Sequence, residues 1–85
     1  MTLEALRQNT ETLMELIGNY NNVFKQKSEI MGNLEDAKSR KDKTNIKVLT
    51  KDLGNVNYKL QILKQYVTNL MTGISKLVEE EKNAL

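Results

Sequence analysis

From Ile46 to Leu77, ten apolar residues follow one another in unbroken alternating steps of three and four: Ile46, Leu49, Leu53, Val56, Leu60, Leu63, Val67, Leu70, Ile74 and Leu77. At 3.6 residues per turn such steps keep every one of them on a single stripe of an α-helix, the a and d positions of a heptad. A strand would need alternation with period two, and none is present. Ile and Val stand mostly at a and Leu mostly at d, and the solvated run Glu79, Glu80, Glu81 closes the stripe. A long helix with one greasy edge cannot stand alone in water, so this pattern already demands a neighbour.

The first half of the chain carries the same period less cleanly. Its a and d positions are Leu3, Leu6, Thr10, Leu13, Ile17, Tyr20, Phe24, Lys27, Met31 and Leu34, with Thr10 and Lys27 as the polar exceptions. Leu16, Val23, Ile30 and Ala37 recur every seven residues at the position before a, so the apolar face is three stripes wide rather than two. A two-stripe seam serves one neighbour, whereas a wider face suits a helix with more than one. The competing account, scattered surface apolar residues, fits four residues in register poorly.

Between the two patterns lies AKSRKDKTN, residues 37 to 45, where apolar residues vanish and the heptad slips by one: continued phase would put Lys38 and Asn45 at a, but the second pattern starts at Ile46. The gap has the length of a loop between antiparallel helices, and Ser39, Thr44 or Asn45 is suited to cap a new helix. The expected architecture is therefore all-α. It is an antiparallel hairpin forming one domain over residues 1–85, with a helix over about 2–38, a turn over about 39–44 and a helix over about 45–82. At a rise of about 1.5 Å per residue each arm is on the order of 55 Å long. A single continuous helix, absorbing the slip as a skip residue and pairing with another chain, is the alternative, since no Pro or Gly in 37–45 forbids it.

Two helices cannot enclose a core, and 85 residues without cysteine have no cross-link to make up the difference. The expectation is that two hairpins pair into a four-helix bundle. The flanks assigned to this dimer or partner interface are Leu16, Val23 and Ile30 on the first helix, with Leu60, Tyr66, Met71 and Val78 on the second. Charge suggests the orientation. Around the turn, Lys38, Arg40, Lys41, Lys43, Lys47 and Lys51 face Asp42 alone, whereas the open end holds Glu4, Glu11, Glu15, Glu79, Glu80 and Glu81 against Arg7, Lys76 and Lys82. An antiparallel dimer brings the basic tip of one hairpin to the acidic base of the other. The architecture, though no motif, is similar to that of the Rop family of RNA-binding hairpins, a similarity of fold that transfers no residues.

The residue inventory excludes much chemistry. Without His or Cys there is no imidazole base, no thiolate and no zinc site of the usual kind. Glu35 and Asp36 are adjacent and so diverge by about 100° on a helix. Gly18, Gly32, Gly54 and Gly73 are too dispersed for a phosphate loop; the first three share heptad position b, either to admit a close-approaching chain or as tolerated surface glycines. No enzyme activity, cofactor, metal or small-molecule substrate is expected. The longest uncharged runs are roughly half a membrane span, and the opening MTLEALRQNTE is not leader-like, so a cytoplasmic setting is expected.

What remains is a protein–protein interaction module acting as a homodimer, in the manner of a small adaptor, assembly or chaperone-like factor, or regulator. The alternative is a nucleic-acid-binding hairpin dimer using Lys38, Arg40, Lys41, Lys43 and Lys47, although no aromatic residue lies among them to stack on bases.

Overall fold

The computed structural model describes residues 2–84, which form two helices and no strand: α1, Thr2–Ser39, and α2, Lys43–Ala84. The chain measures 64 × 14 × 14 Å along its principal axes. A 42-residue helix is itself about 63 Å long, so the molecule is one helix long and two helices wide. A single continuous helix would reach on the order of 125 Å. The chain doubles back.

The reversal occupies only Arg40, Lys41 and Asp42. Lys41 has φ 56°, in the left-handed region. This lets its N–H donate to Lys38 O (3.1 Å) while the Asp42 N–H donates to Ala37 O (3.0 Å). These two bonds satisfy carbonyls that the end of α1 would otherwise leave without partners, in the arrangement known as a Schellman motif. Asp42 then starts α2. Its carbonyl accepts from Ile46 N (2.9 Å), its Oδ1 from Asn45 N (3.2 Å) and its Oδ2 from the Asn45 side-chain amide (2.8 Å). One residue thus closes the first helix and caps the second. The expected turn over 39–44 is corrected to 40–42, and the cap is Asp42 rather than Ser39, Thr44 or Asn45. An aspartate whose side chain reaches the third residue of a helix allows that helix to begin immediately after it.

On α2 the inward residues are the ones the heptad predicts. Val56 and Leu60 are buried, and Ile46, Leu49, Leu53, Leu63, Val67, Leu70, Ile74 and Leu77 are half-buried. On α1 the inward stripe differs from the expected one. Leu6, Asn9, Leu13, Leu16, Tyr20, Val23, Lys27 and Ile30 are half-buried, and Leu34 and Ala37 are buried. These are the d stripe and the stripe before a. Leu3, Ile17, Phe24 and Met31, at a, stay exposed. The expectation that Leu16, Val23 and Ile30 form the wet flank is therefore corrected: they face α2, and the a stripe is the wet one.

The corner decides between the two. The helices approach closely where the chain reverses, and there the stripe before a ends on Ala37, whose relative exposure is 0%. The a stripe ends on Lys38, whose burial at the corner would strand a charge. The observed seam encloses Asn9 where an a/d seam would enclose Thr10, and it takes Leu16 in place of Ile17 and Val23 in place of Phe24, so away from the corner neither polarity nor apolar area favours it.

Among the described residues only Leu34, Ala37, Val56 and Leu60 are buried, and no large side chain is completely so. Leu34 and Ala37 lie beside the turn; toward the open end, Leu6, Leu13, Leu70 and Leu77 are only half covered. The interior is one layer of side chains thick.

Candidate functional site: an exposed apolar face

Helical geometry fixes what lies on each side of that layer. On α1, Leu3, Thr10, Ile17, Phe24 and Met31 recur every seven residues along one shoulder of the seam, and Met14 falls four residues after Thr10 on the same shoulder. Leu3 is 63% exposed, Met14 68%, Phe24 50% and Ile17 44%. On α2, Lys64, Met71 and Val78 form the corresponding row, and Tyr66 projects from the other shoulder together with Val48. A shallow depression lined by Ile17, Tyr20, Lys64, Val67 and Thr68 joins the shoulder of Ile17 to that of Lys64. A second depression, lined by Asn33, Asp36, Arg40, Asn45, Val48 and Leu49, joins Val48 to the polar back of α1.

The two broad faces of the hairpin are therefore unlike. One carries Leu3, Met14, Ile17, Phe24 and Met31 from α1 with Met71 and Val78 from α2. The other carries Tyr66 and Val48 opposite the polar Asn33 and Asp36. Tyr20, half-buried in the seam, lies nearly parallel to Phe24, with ring centroids 6.5 Å apart and planes inclined by 20°. That stack links the interior to the apolar face.

Four of the hydroxyl residues that interrupt the apolar face hold their protons inward, while Lys64, in the row of Met71 and Val78, keeps a charged group on it. Thr10 Oγ1 donates to Leu6 O (2.7 Å), Ser28 Oγ to Phe24 O (3.3 Å), Thr50 Oγ1 to Ile46 O (2.6 Å) and Thr68 Oγ1 to Lys64 O (2.8 Å). Each donor is bonded to the carbonyl one turn back. Covering this face would strand none of these four donors, which removes the usual penalty for desolvating a hydroxyl.

No family model, curated protein or solved structure matches the chain. Its own geometry carries the functional reading.

The residues assigned to an interface from sequence are divided by the structure. Met71 and Val78 lie together on the apolar face, 53% and 47% exposed. Tyr66 is exposed on the opposite shoulder. Leu60, buried, faces α1, and Leu16, Val23 and Ile30 face α2. Leu3, Ile17, Phe24 and Met31, a positions that the heptad places inward, form most of the exposed row. The sequence signal that distinguishes them is the pair Ala37 and Lys38 at the corner.

The basic tip is solvent-facing. Lys38, Arg40, Lys41, Lys43 and Lys47 are all exposed. Arg40 Nη2 lies 3.1 Å from Asp36 Oδ2 across one helical turn, the one ion pair of the tip among the described residues. At the open end Arg7 bridges Glu4 and Glu11 along α1. These pairs are exposed and i,i+3 or i,i+4 in spacing, so each contributes well under about 1 kcal/mol. Among the described residues no group of three or more carboxylates is placed to hold a metal ion, and no helix is long and apolar enough to cross a membrane.

Proposed function

We propose that this hairpin is a non-enzymatic protein–protein interaction module that works as a homodimer, a small adaptor, assembly factor or regulator of cytoplasmic location. The observation that carries this reading is the exposed row Leu3, Ile17, Phe24 and Met31 beside Met71 and Val78 on one face. An interior one side chain thick leaves too little apolar burial to hold 85 residues comfortably, and the same hairpin displays a second apolar surface along its length. Association stabilises the folded form in proportion to concentration. The thermal midpoint of unfolding should therefore rise by several degrees over a hundredfold increase in protein concentration. A midpoint independent of concentration contradicts the homodimer.

A second reading draws on the exposed cations at the turn. Lys38, Lys41, Lys43 and Lys47 are all exposed in and beside the turn, and contact with phosphates through them would give binding that falls steeply with salt. Fluorescence anisotropy with labelled duplex RNA and DNA at low and moderate salt tests it. Absence of binding at the lowest salt removes this reading and leaves the first untouched.

A further inference from the structure

We infer that the apolar face is occupied by a second copy of this chain laid antiparallel on it, so that α1 packs on α1 of the other copy with Ile17 of one over Phe24 of the other. The inference rests on the homodimer reading above and adds the face, the orientation and the register.

Three observations select the occupant. The first is area. Phe24 carries about 150–250 Å², and with Leu3, Met14, Ile17, Met31, Met71 and Val78, all between 44% and 68% exposed, the face presents on the order of several hundred Å², approaching the ~800 Å² per partner of a standard interface. The second is charge. The tip, residues 35 to 52, carries Lys38, Arg40, Lys41, Lys43, Lys47 and Lys51 against Glu35, Asp36, Asp42 and Asp52, six cations to four acids, and the open end carries an excess of glutamate. A parallel dimer would place twelve tip cations together, whereas an antiparallel one sets each tip beside the other copy's glutamates. Charge complementarity of this kind selects orientation rather than supplying most of the affinity.

The third is symmetry. A two-fold axis that reverses the hairpin and brings like faces together must lie in the interface, perpendicular to the long axis. It therefore lays α1 on α1 and α2 on α2, each antiparallel. The midpoint of α1, Thr2–Ser39, falls between Tyr20 and Asn21. About that midpoint the exposed row is its own mirror in position: 17 meets 24, 10 meets 31, and 3 meets 38. The two largest apolar residues near the middle then pair with each other. Thr10, its hydroxyl already bonded to Leu6 O, lies over Met31. The aliphatic stem of Lys38 lies over Leu3, with its ammonium directed toward the glutamates that follow. An isologous contact requires this self-complementarity.

Asn21 is exposed, and its helical phase places it on this face beside the axis. A single Asn21→Cys variant should oxidise to a covalent dimer that retains the helical circular dichroism of the parent. Lys38→Cys alone should not, since the two copies of position 38 lie at opposite ends. In a parallel dimer on the same face, α1 packs on α2 and Asn21→Cys finds no partner thiol. Phe24→Lys should raise the dimer dissociation constant at least tenfold, and Tyr66→Lys, on the other face, should leave it within twofold. Failure of Asn21→Cys to cross-link, or weakening by Tyr66→Lys and not by Phe24→Lys, overturns the assigned face and register while a concentration-dependent thermal midpoint still upholds the homodimer. If the wild-type chain stays monomeric throughout, the homodimer reading falls and this inference with it.

Discussion

Asp42 serves both helices, through its backbone and its carboxylate. It accepts the bonds that start α2, and its own N–H closes the end of α1. Asp42→Ala should lower unfolding stability by about 1 kcal/mol, within the ~0.5–2 kcal/mol range of capping residues, read as a lower urea midpoint at unchanged slope. Its neighbour Lys41 holds a left-handed backbone that glycine adopts freely and lysine does not. Lys41→Gly should therefore raise stability, by up to about 1 kcal/mol. A fall would show that the Lys41 side chain makes a contact worth more than the backbone cost. Gly73 lies within α2 with nothing within 4 Å of where a Cβ would stand. Gly73→Ala should raise stability by roughly 0.5–1 kcal/mol, measured in the same urea titration. Leu60, buried in the seam, marks the opposite limit: Leu60→Ala should cost about 2–5 kcal/mol, and Leu60→Asp should abolish helicity by burying an unpaired charge.

At the scale of the helix, the two elements were not equally legible. In α2 only the a and d stripes are continuously apolar, so Ile46 through Leu77 could be assigned inward from spacing alone, and they are inward. In α1 three adjacent stripes compete for one neighbour, and the heptad does not say which two that neighbour covers. Leu34 and Leu13 belong to either choice; Leu16 against Ile17 and Val23 against Phe24 are near equivalents in hydrophobicity. What separates them is the corner, where Ala37 fits and Lys38 does not, a constraint from chain reversal that a period cannot express. The bounds of the turn were illegible for a related reason. A non-glycine left-handed residue such as Lys41 leaves no compositional mark, and Asp42 reads as one acidic residue in a basic stretch until its bonds are known. A row transplant tests this account of α1. Ile17→Gln and Phe24→Gln together should weaken association yet leave the helical circular dichroism recoverable at high protein concentration, because both are exposed within the hairpin. Leu16→Gln and Val23→Gln together should lower the thermal midpoint by ten degrees or more.

For the molecule as a whole, the central fact is the mismatch between what the sequence makes apolar and what two helices can cover. The hairpin is 64 Å long and 14 Å across, a rod with one thin seam and one further apolar face. The hairpin itself was expected from the gap in the pattern, and so was an apolar surface that two helices leave uncovered. The side on which that surface lies was not, because it depends on which flank of α1 turns toward α2. The basic tip and acidic base, separated by the full length of the rod, then favour an arrangement in which two rods lie head to tail. Sedimentation equilibrium on the wild-type chain tests this most directly: the account predicts a mass twice the 9.8 kDa of one chain at micromolar concentration, and a fully helical, cooperatively folding species of single-chain mass under the same conditions would contradict it.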